Sequence, residues 1–424
     1  MHYLLCISLA LALLARPVFI MSATIGSAAA AENPPYVDQC TEQGKPFSNE
    51  IRIDACSAMI NSGQYKGKDL AWAFINRGNV YTISGEYDIA LGDLTQAIAL
   101  DPTNALAYIG RCLVRNSKGE TDLALGDCNE AIRLDPKNAL AYYNRGNAWS
   151  AKHDLDRAIA DYTEVIRIDP KNISAYNNRG STFNIKREYD RAVSDYTEAI
   201  NLAPNFATAY NGRCLVHNNR GETDLALADC NKAITLDPKN VLAYNNRGNA
   251  WRAKNDLDRA IADYSEAIRL EPKYETAHNN RGDAYGMKMD YEHAIADFSE
   301  SIKLDPRNAE VFNARCWARA IAGRDLQQAL ADCGESLRLR PNDANTHDSL
   351  AFTYLKLGNL DHALAEYNAA LALNPNLAGS LYGRGLTKVR KGDVSAGVTD
   401  IEAAKTIEAG IADEFAKYGI VAPN

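Results

Sequence analysis

Nine prolines fall in register along this chain. Pro102, Pro136, Pro170, Pro204, Pro238, Pro272 and Pro306 are spaced 34 residues apart, Pro341 follows after 35 and Pro375 after 34. A fixed period of this length limits the fold more than any local propensity does. Each period is one supersecondary element that cannot bury its apolar face alone, so neighbours must stack and share a core along the array. Position 1 is taken as Ala71, Ala105, Ala139, Ile173, Ala207, Val241, Glu275, Ala309, Ala344 and Ala378. That gives ten repeats over residues 71–408, with the extra residue between Gly323 and Asp332.

Each repeat reads as two helices. In repeat 3, Tyr142, Gly146 and Trp149 share one helical face, and Ala158, Tyr162 and Val165 share another. Position 15 is often glycine (Gly85, Gly119, Gly221, Gly323, Gly358, Gly392), which signals a turn between them. Proline ends the second helix because its ring has no N–H to continue it. The asparagine two residues later (Asn104, Asn138, Asn172, Asn240, Asn308) suits an N-cap for the next helix. Position 20 is alanine in nine repeats and Gly397 in the tenth, so two backbones are expected to approach there.

These features together resemble a tetratricopeptide repeat (TPR) array over about four fifths of the sequence. The resemblance implies an all-α, right-handed superhelical solenoid of helix hairpins, with first helices lining a concave surface. One departure stands out. The family usually has leucine at position 7; here nine repeats carry arginine, and only Leu350 keeps the usual type. Position 23 is acidic throughout, from Asp93 to Asp400, with Glu366 in the repeat of Leu350. An antiparallel hairpin would bring 7 and 23 together, so Arg–Asp pairing is expected. Two separately solvated charges are the alternative.

The ends differ from the array. Tyr3–Ala15 is apolar, Arg16 and Pro17 interrupt it, and small residues lead to Ala31. This pattern reads as a secretory signal over 1–31, cleaved near Ala29–Ala31, although no Lys or Arg precedes the apolar run. An uncleaved signal acting as a membrane anchor is the alternative; no other stretch is apolar enough to span a bilayer. Residues 32–70 read as a degenerate N-terminal capping unit, and residues 409–424 as a capping helix with Ile411, Phe415 and Tyr418 on one stripe.

In the repeat frame Cys112 and Cys128, Cys214 and Cys230, and Cys316 and Cys333 all occupy positions 8 and 24 on the facing helices, and Cys40 and Cys56 repeat the sixteen-residue spacing. Other repeats carry Gly or Ala at 8 and a larger apolar residue at 24, and no repeat has one cysteine alone. With Cys6 lost in the signal, an even set remains, which in an exported protein reads as four local disulfides. Buried thiols acting as small hydrophobes are the alternative. No pair has the further ligands of a structural zinc site, so no metal is expected. Cys112, Cys214 and Cys316 lie 102 residues apart, and "NRGNAW" recurs at Asn144 and Asn246 at the same distance, as if a three-repeat block had been duplicated.

No phosphate loop, nucleophile elbow or metalloprotease motif occurs, the histidines are scattered over different repeat positions, and nothing calls for a cofactor or catalysis. A net charge of −8 with no Lys/Arg run disfavours nucleic acid. The first-helix face is more informative. By the resemblance, positions 2, 5, 6, 9, 12 and 13 touch ligands, and here they are rich in amides: Asn76, Asn79, Asn144, Asn147, Asn178, Asn245, Asn246, Asn249 and Asn280. An Asn side chain offers donors and an acceptor together, matching a peptide group. Trp317, with Trp72, Tyr143, Phe352 and Tyr382, falls on the same face and offers anchors. Lys and Arg are absent from positions 2, 5 and 6, which argues against a carboxylate clamp. The amides are expected to be exposed; asparagines that merely solvate an empty face are the alternative.

The sequence therefore points to a non-enzymatic scaffold of the cell envelope, periplasmic or secreted, that binds an extended protein or peptide on an Asn-lined face. A structural, self-associating solenoid supporting an envelope assembly is the alternative.

Overall fold

The structure, a computed structural model, describes residues 35–41 and 47–421. The segment read as a signal lies outside the described residues. The chain is an all-α repeat solenoid: every regular element among the described residues is a helix. Two compact halves divide at Gly212 and Arg213. The N-terminal half holds the short hairpin Pro35–Thr41/Asn49–Asn61 and then repeats 1 to 4. The C-terminal half holds repeats 6 to 10 and the terminal helix Ile411–Lys417. The first helix of repeat 5, Ala207–Arg220, spans the division. A typical repeat pairs a first helix such as Ala139–Ala151 with a second such as Leu155–Ile168.

The helix boundaries follow from backbone chemistry. Asn104, Asn138, Asn172, Asn240 and Asn308 each accept a hydrogen bond from a first-turn backbone N–H of the next helix, satisfying a donor that the helix itself leaves open. Between the two helices, position 15 takes the left-handed conformation. Glycine fills it at Gly85 and Gly119 (φ +80° and +77°), but His153, Arg187, Asn255 and Met289 adopt it as well, at φ near +60°. The hairpin demands this turn whether or not glycine is there to ease it.

Packing inside the hairpin depends on positions 8 and 24. A Cβ added at Gly146 would lie 2.8 Å from the Tyr162 ring, and one at Gly282 would lie 2.7 Å from the Phe298 ring. The position-24 ring thus rests on the bare backbone of the first helix. Tyr162 and Tyr264 are among the largest fully buried side chains. Alanines at position 20, such as Ala158 and Ala260, are completely buried where the helices cross.

The position-7 arginines organise the charged layer. Arg145 grips Asp161 with a two-point fork, Nε to Oδ2 at 2.8 Å and Nη2 to Oδ1 at 2.7 Å. The same fork joins Arg77 to Asp93, Arg111 to Asp127, Arg179 to Asp195, Arg213 to Asp229, Arg247 to Asp263, Arg281 to Asp297, Arg315 to Asp332 and Arg384 to Asp400. The remaining Nη1 reaches back to position 25 of the preceding repeat: Arg145 to Asn129 at 2.8 Å, Arg247 to Asn231 at 2.7 Å, Arg281 to Ser265 at 2.9 Å. The guanidinium also lies over the position-4 ring, as Arg145 does over Tyr142 at 5.4 Å. In repeat 9 all of this changes together. Leu350 replaces the arginine, the preceding position 25 is Gly334, and Glu366 pairs with His347 Nδ1 at 2.6 Å instead.

The Asp161 carboxylate is buried and Arg145 satisfies both its oxygens. Replacing Arg145 by Ala is expected to cost about 3–5 kcal/mol, because it strands a buried charge. Urea denaturation of Arg145→Ala, Asp161→Ala and the double variant checks this. Coupling of at least about 1 kcal/mol is expected for residues in direct contact, and additive losses would contradict the pairing.

Candidate functional site

First helices of successive repeats pack on one another, as Ala105–Lys118 does on Ala139–Ala151 and Ala309–Ala322 does on Ala344–Lys356. They present one continuous face within each half. The position-6 amides, expected to be exposed there, are mostly buried: Asn144 is 1% exposed, Asn76 3%, Asn246 7% and Asn280 9%. The cause is the tight spacing of first helices, which leaves position 6 at their contact line rather than on the open surface. Asn245, at position 5, is 4% exposed and accepts from Asn280 Nδ2 at 2.9 Å. The backbone carbonyls of Asn144 and Asn246 accept from Asn116 and Asn218 at 2.8 and 2.7 Å. Much of the amide ladder is thus repeat-to-repeat mortar.

A partly accessible set remains: Asn79, Asn147, Asn178 and Asn249. Asn147 Oδ1 accepts from Tyr162 Oη at 2.8 Å and from Asn178 Nδ2 at 3.1 Å, and Asn178 Nδ2 also reaches Tyr143 Oη at 3.0 Å. Tyr264 Oη donates to Asn249 Oδ1 at 2.8 Å in the same way. Burial pushes the Tyr143, Tyr162 and Tyr264 phenols above their usual pKa, so they stay neutral. Asn144 Nδ2 and Asn177 Oδ1 are buried without a hydrogen-bond partner. The lining in the N-terminal half is thus uncharged, with amide and hydroxyl groups in both hydrogen-bonding senses. In the C-terminal half Arg252 and Asp283 add an ion pair at 3.0 Å; burial raises the Asp283 pKa although Arg252 opposes it.

The aromatic residues expected to be anchors behave differently. Trp317 and Phe352 lie 4.9 Å apart and Tyr382 joins them, but their partner is the chain's own C-terminal segment. Only the run of apolar residues at position 9 in the last three repeats (Trp317, Phe352, Leu386) could have given this away.

The two Sγ atoms of each cysteine pair stand at bonding distance: Cys40–Cys56, Cys112–Cys128, Cys214–Cys230 and Cys316–Cys333. Their Cα separations, 4.8 to 5.6 Å, suit a bridge without backbone movement. Sequence reading missed a companion change at position 11. Aromatic in repeats 1, 3, 4, 6, 7 and 9, as in Trp149 and Trp251, it is Arg115 or Arg319 in two cysteine repeats and Lys388 in repeat 10, and each of these adds a second cation to the position-23 aspartate. His217 takes that place beside Asp229 at 3.7 Å.

Among the described residues no group of three or more His, Cys, Asp or Glu side chains is placed to hold a metal ion. No described helix is long and apolar enough to cross a membrane.

Comparison with known proteins adds the following. A family model described as "TPR repeat" matches residues 113–152, 248–288 and 353–392. Two described as "Tetratricopeptide repeat" match 139–172, 207–240 and 276–308, and 173–206. Together they cover more than half of the chain. No curated protein matches it. Among solved structures, a tetratricopeptide repeat protein from Parabacteroides merdae is 18% identical, covers 58% of this chain and 97% of its own, and gives a TM-score of 0.49. YrrB, described as a TPR protein with an unusual peptide-binding site, is 24% identical over 43% of this chain and 95% of its own, with a TM-score of 0.36. MamA is 25% identical over 40% of this chain and 92% of its own, also at 0.36.

Peptide mapping of protein isolated without reductant is expected to recover all four cysteine pairs as linked peptides, and eight alkylatable thiols would refute the oxidised state. Each closed loop is expected to contribute about 3 kcal/mol in the chain-entropy picture, so reduction should lower the urea midpoint.

Proposed function

Because the chain belongs to the tetratricopeptide repeat family, we propose that it is an exported, non-enzymatic scaffold that holds an extended polypeptide along its first-helix face. The observation that carries this reading is the neutral polar lining around Asn147, Asn178 and Tyr143, repeated in kind at Asn249. Amides and hydroxyls in both senses match the alternating N–H and C=O groups of a peptide backbone and give no grip on a lone charge. Positions 2, 5 and 6 carry no Lys or Arg in any repeat, so a clamp for a terminal carboxylate has no counterpart here. Many small contacts, each about 0.5–1.5 kcal/mol net, favour a long segment over a short motif. Export is supported by the apolar N-terminal run with its small-residue end and by the pairing of every cysteine after it, since disulfides persist in oxidising compartments.

Affinity capture from the envelope fraction tests the reading. The Asn147→Ala/Asn178→Ala/Asn249→Ala chain, checked for folding by its urea midpoint, is expected to bind at least about tenfold more weakly, since three contacts of about 0.5 kcal/mol or more are lost. Capture by the wild type is expected to persist at about 0.5 M salt, where exposed ionic contacts are screened. Undiminished capture by a folded triple variant would move the binding surface off this face.

A further inference from the structure

A helix that only shielded the open edge of the array would need to touch repeat 10 alone. The C-terminal segment instead lies across the first-helix face of three repeats. Phe415 meets Tyr382 of repeat 10 with ring centroids 4.8 Å apart, and Phe352 of repeat 9 at 5.7 Å. Tyr418 meets Phe352 at 6.0 Å and reaches Trp317 of repeat 8, edge-on, at 5.5 Å. Lys356 Nζ donates to the Tyr418 carbonyl. Ile411, Phe415 and Ile420 are buried against Leu355 and Leu386 in the same cluster.

The face beneath this segment is specialised in the sequence. Position 9 is Asn79, Asn147 and Asn249 in repeats 1, 3 and 6 and Asp283 in repeat 7. Leu113 and Leu215 are isolated exceptions; only Trp317, Phe352 and Leu386 form a consecutive apolar run. The segment itself is poorly built to stand alone. Its helix, Ile411–Lys417, has seven residues and no side-chain N-cap, well below the roughly 12–15 residues an isolated helix needs. Gly419, at φ +77°, turns the chain directly afterwards. Its order therefore comes from docking, and its dock extends two repeats beyond what an end cap requires.

We propose that the first-helix face of repeats 8 to 10 is a binding site for an amphipathic helix with a bulky apolar residue followed by aromatic residues four and seven positions later. Ile411, Phe415 and Tyr418 make residues 411–420 its resident occupant, displaced by a partner segment with the same stripe. This deepens the polypeptide-binding reading and rests on it, by naming the chemistry of one partner segment. The site differs from the amide-lined stretch: it recognises side chains by burial in an aromatic cleft, where shape and ring geometry set selectivity.

The probe is a fluorescein-labelled synthetic peptide of residues 409–424, followed by fluorescence anisotropy. The full-length Phe415→Ala/Tyr418→Ala chain, whose own segment docks poorly, is expected to bind it at least tenfold more tightly than the wild type. Adding Trp317→Ala to that variant is expected to remove most of the gain. Equal binding by the folded variant and the wild type overturns the proposal. If the variant loses its helical circular dichroism, hydrogen exchange on the wild-type chain decides. Amides of 411–420 exchanging at least tenfold faster than those of Ala378–Arg390 support a displaceable occupant; exchange in step with that helix makes the segment a fixed cap and overturns it. Neither result touches the capture experiment on Asn147, Asn178 and Asn249, so the two readings fail separately.

Discussion

In nine of the ten repeats one guanidinium holds the two helices and the neighbouring hairpin in register. Its fork closes both oxygens of the position-23 aspartate, its third nitrogen bonds position 25 of the repeat before, and its face covers the position-4 ring. Lysine, a point charge without a planar fork, can do only one of these things at a time. The aspartate is nearly removed from water, so the pair gains little over an apolar contact of the same shape, yet either partner alone is costly. That asymmetry makes the layer a device for register. Repeat 9 shows the consequence: with Leu350 in place of arginine, the acceptor at the preceding position 25 has become Gly334, and the acid at 23 has found His347. The residues change as a set because each left alone would be unsatisfied.

The space between the helices is filled in two ways. A ring at position 24 needs a bare backbone opposite, which is why Gly146 faces Tyr162 and Gly282 faces Phe298. A cysteine at 24 leaves room, and a cysteine at 8 takes it. The ring at position 11 then gives way to Arg115 or Arg319, which reach the aspartate. Positions 8, 11 and 24 are thus exchanged together in repeats 2, 5 and 8.

The first-helix face is not uniform. In the N-terminal half it is a neutral network in which Tyr143, Asn147, Tyr162 and Asn178 bond one another, with Asn147 and Asn178 partly accessible. In the last three repeats it is aromatic, and the chain covers it with its own segment. The two surfaces differ chiefly at position 9, which is Asn79, Asn147 and Asn249 in repeats 1, 3 and 6 and Trp317, Phe352 and Leu386 in the last three.

The sequence by itself determined the all-α repeat fold, the ends of the helices, the pairing of arginine with aspartate and the meeting of each cysteine with its mate. All of these are consequences of period and position, and a hairpin repeated at a fixed interval gives equivalent positions equivalent neighbours. It did not determine which amides were open. Asn144 and Asn178 share position 6 and differ in exposure, because how closely first helices approach depends on side chains one repeat away. Nor did it reveal that Trp317 and Phe352 are covered by Phe415 and Tyr418. Those contacts join residues 63 and 101 positions apart, outside the periodic rule, and only the path of the chain beyond the last repeat decides them.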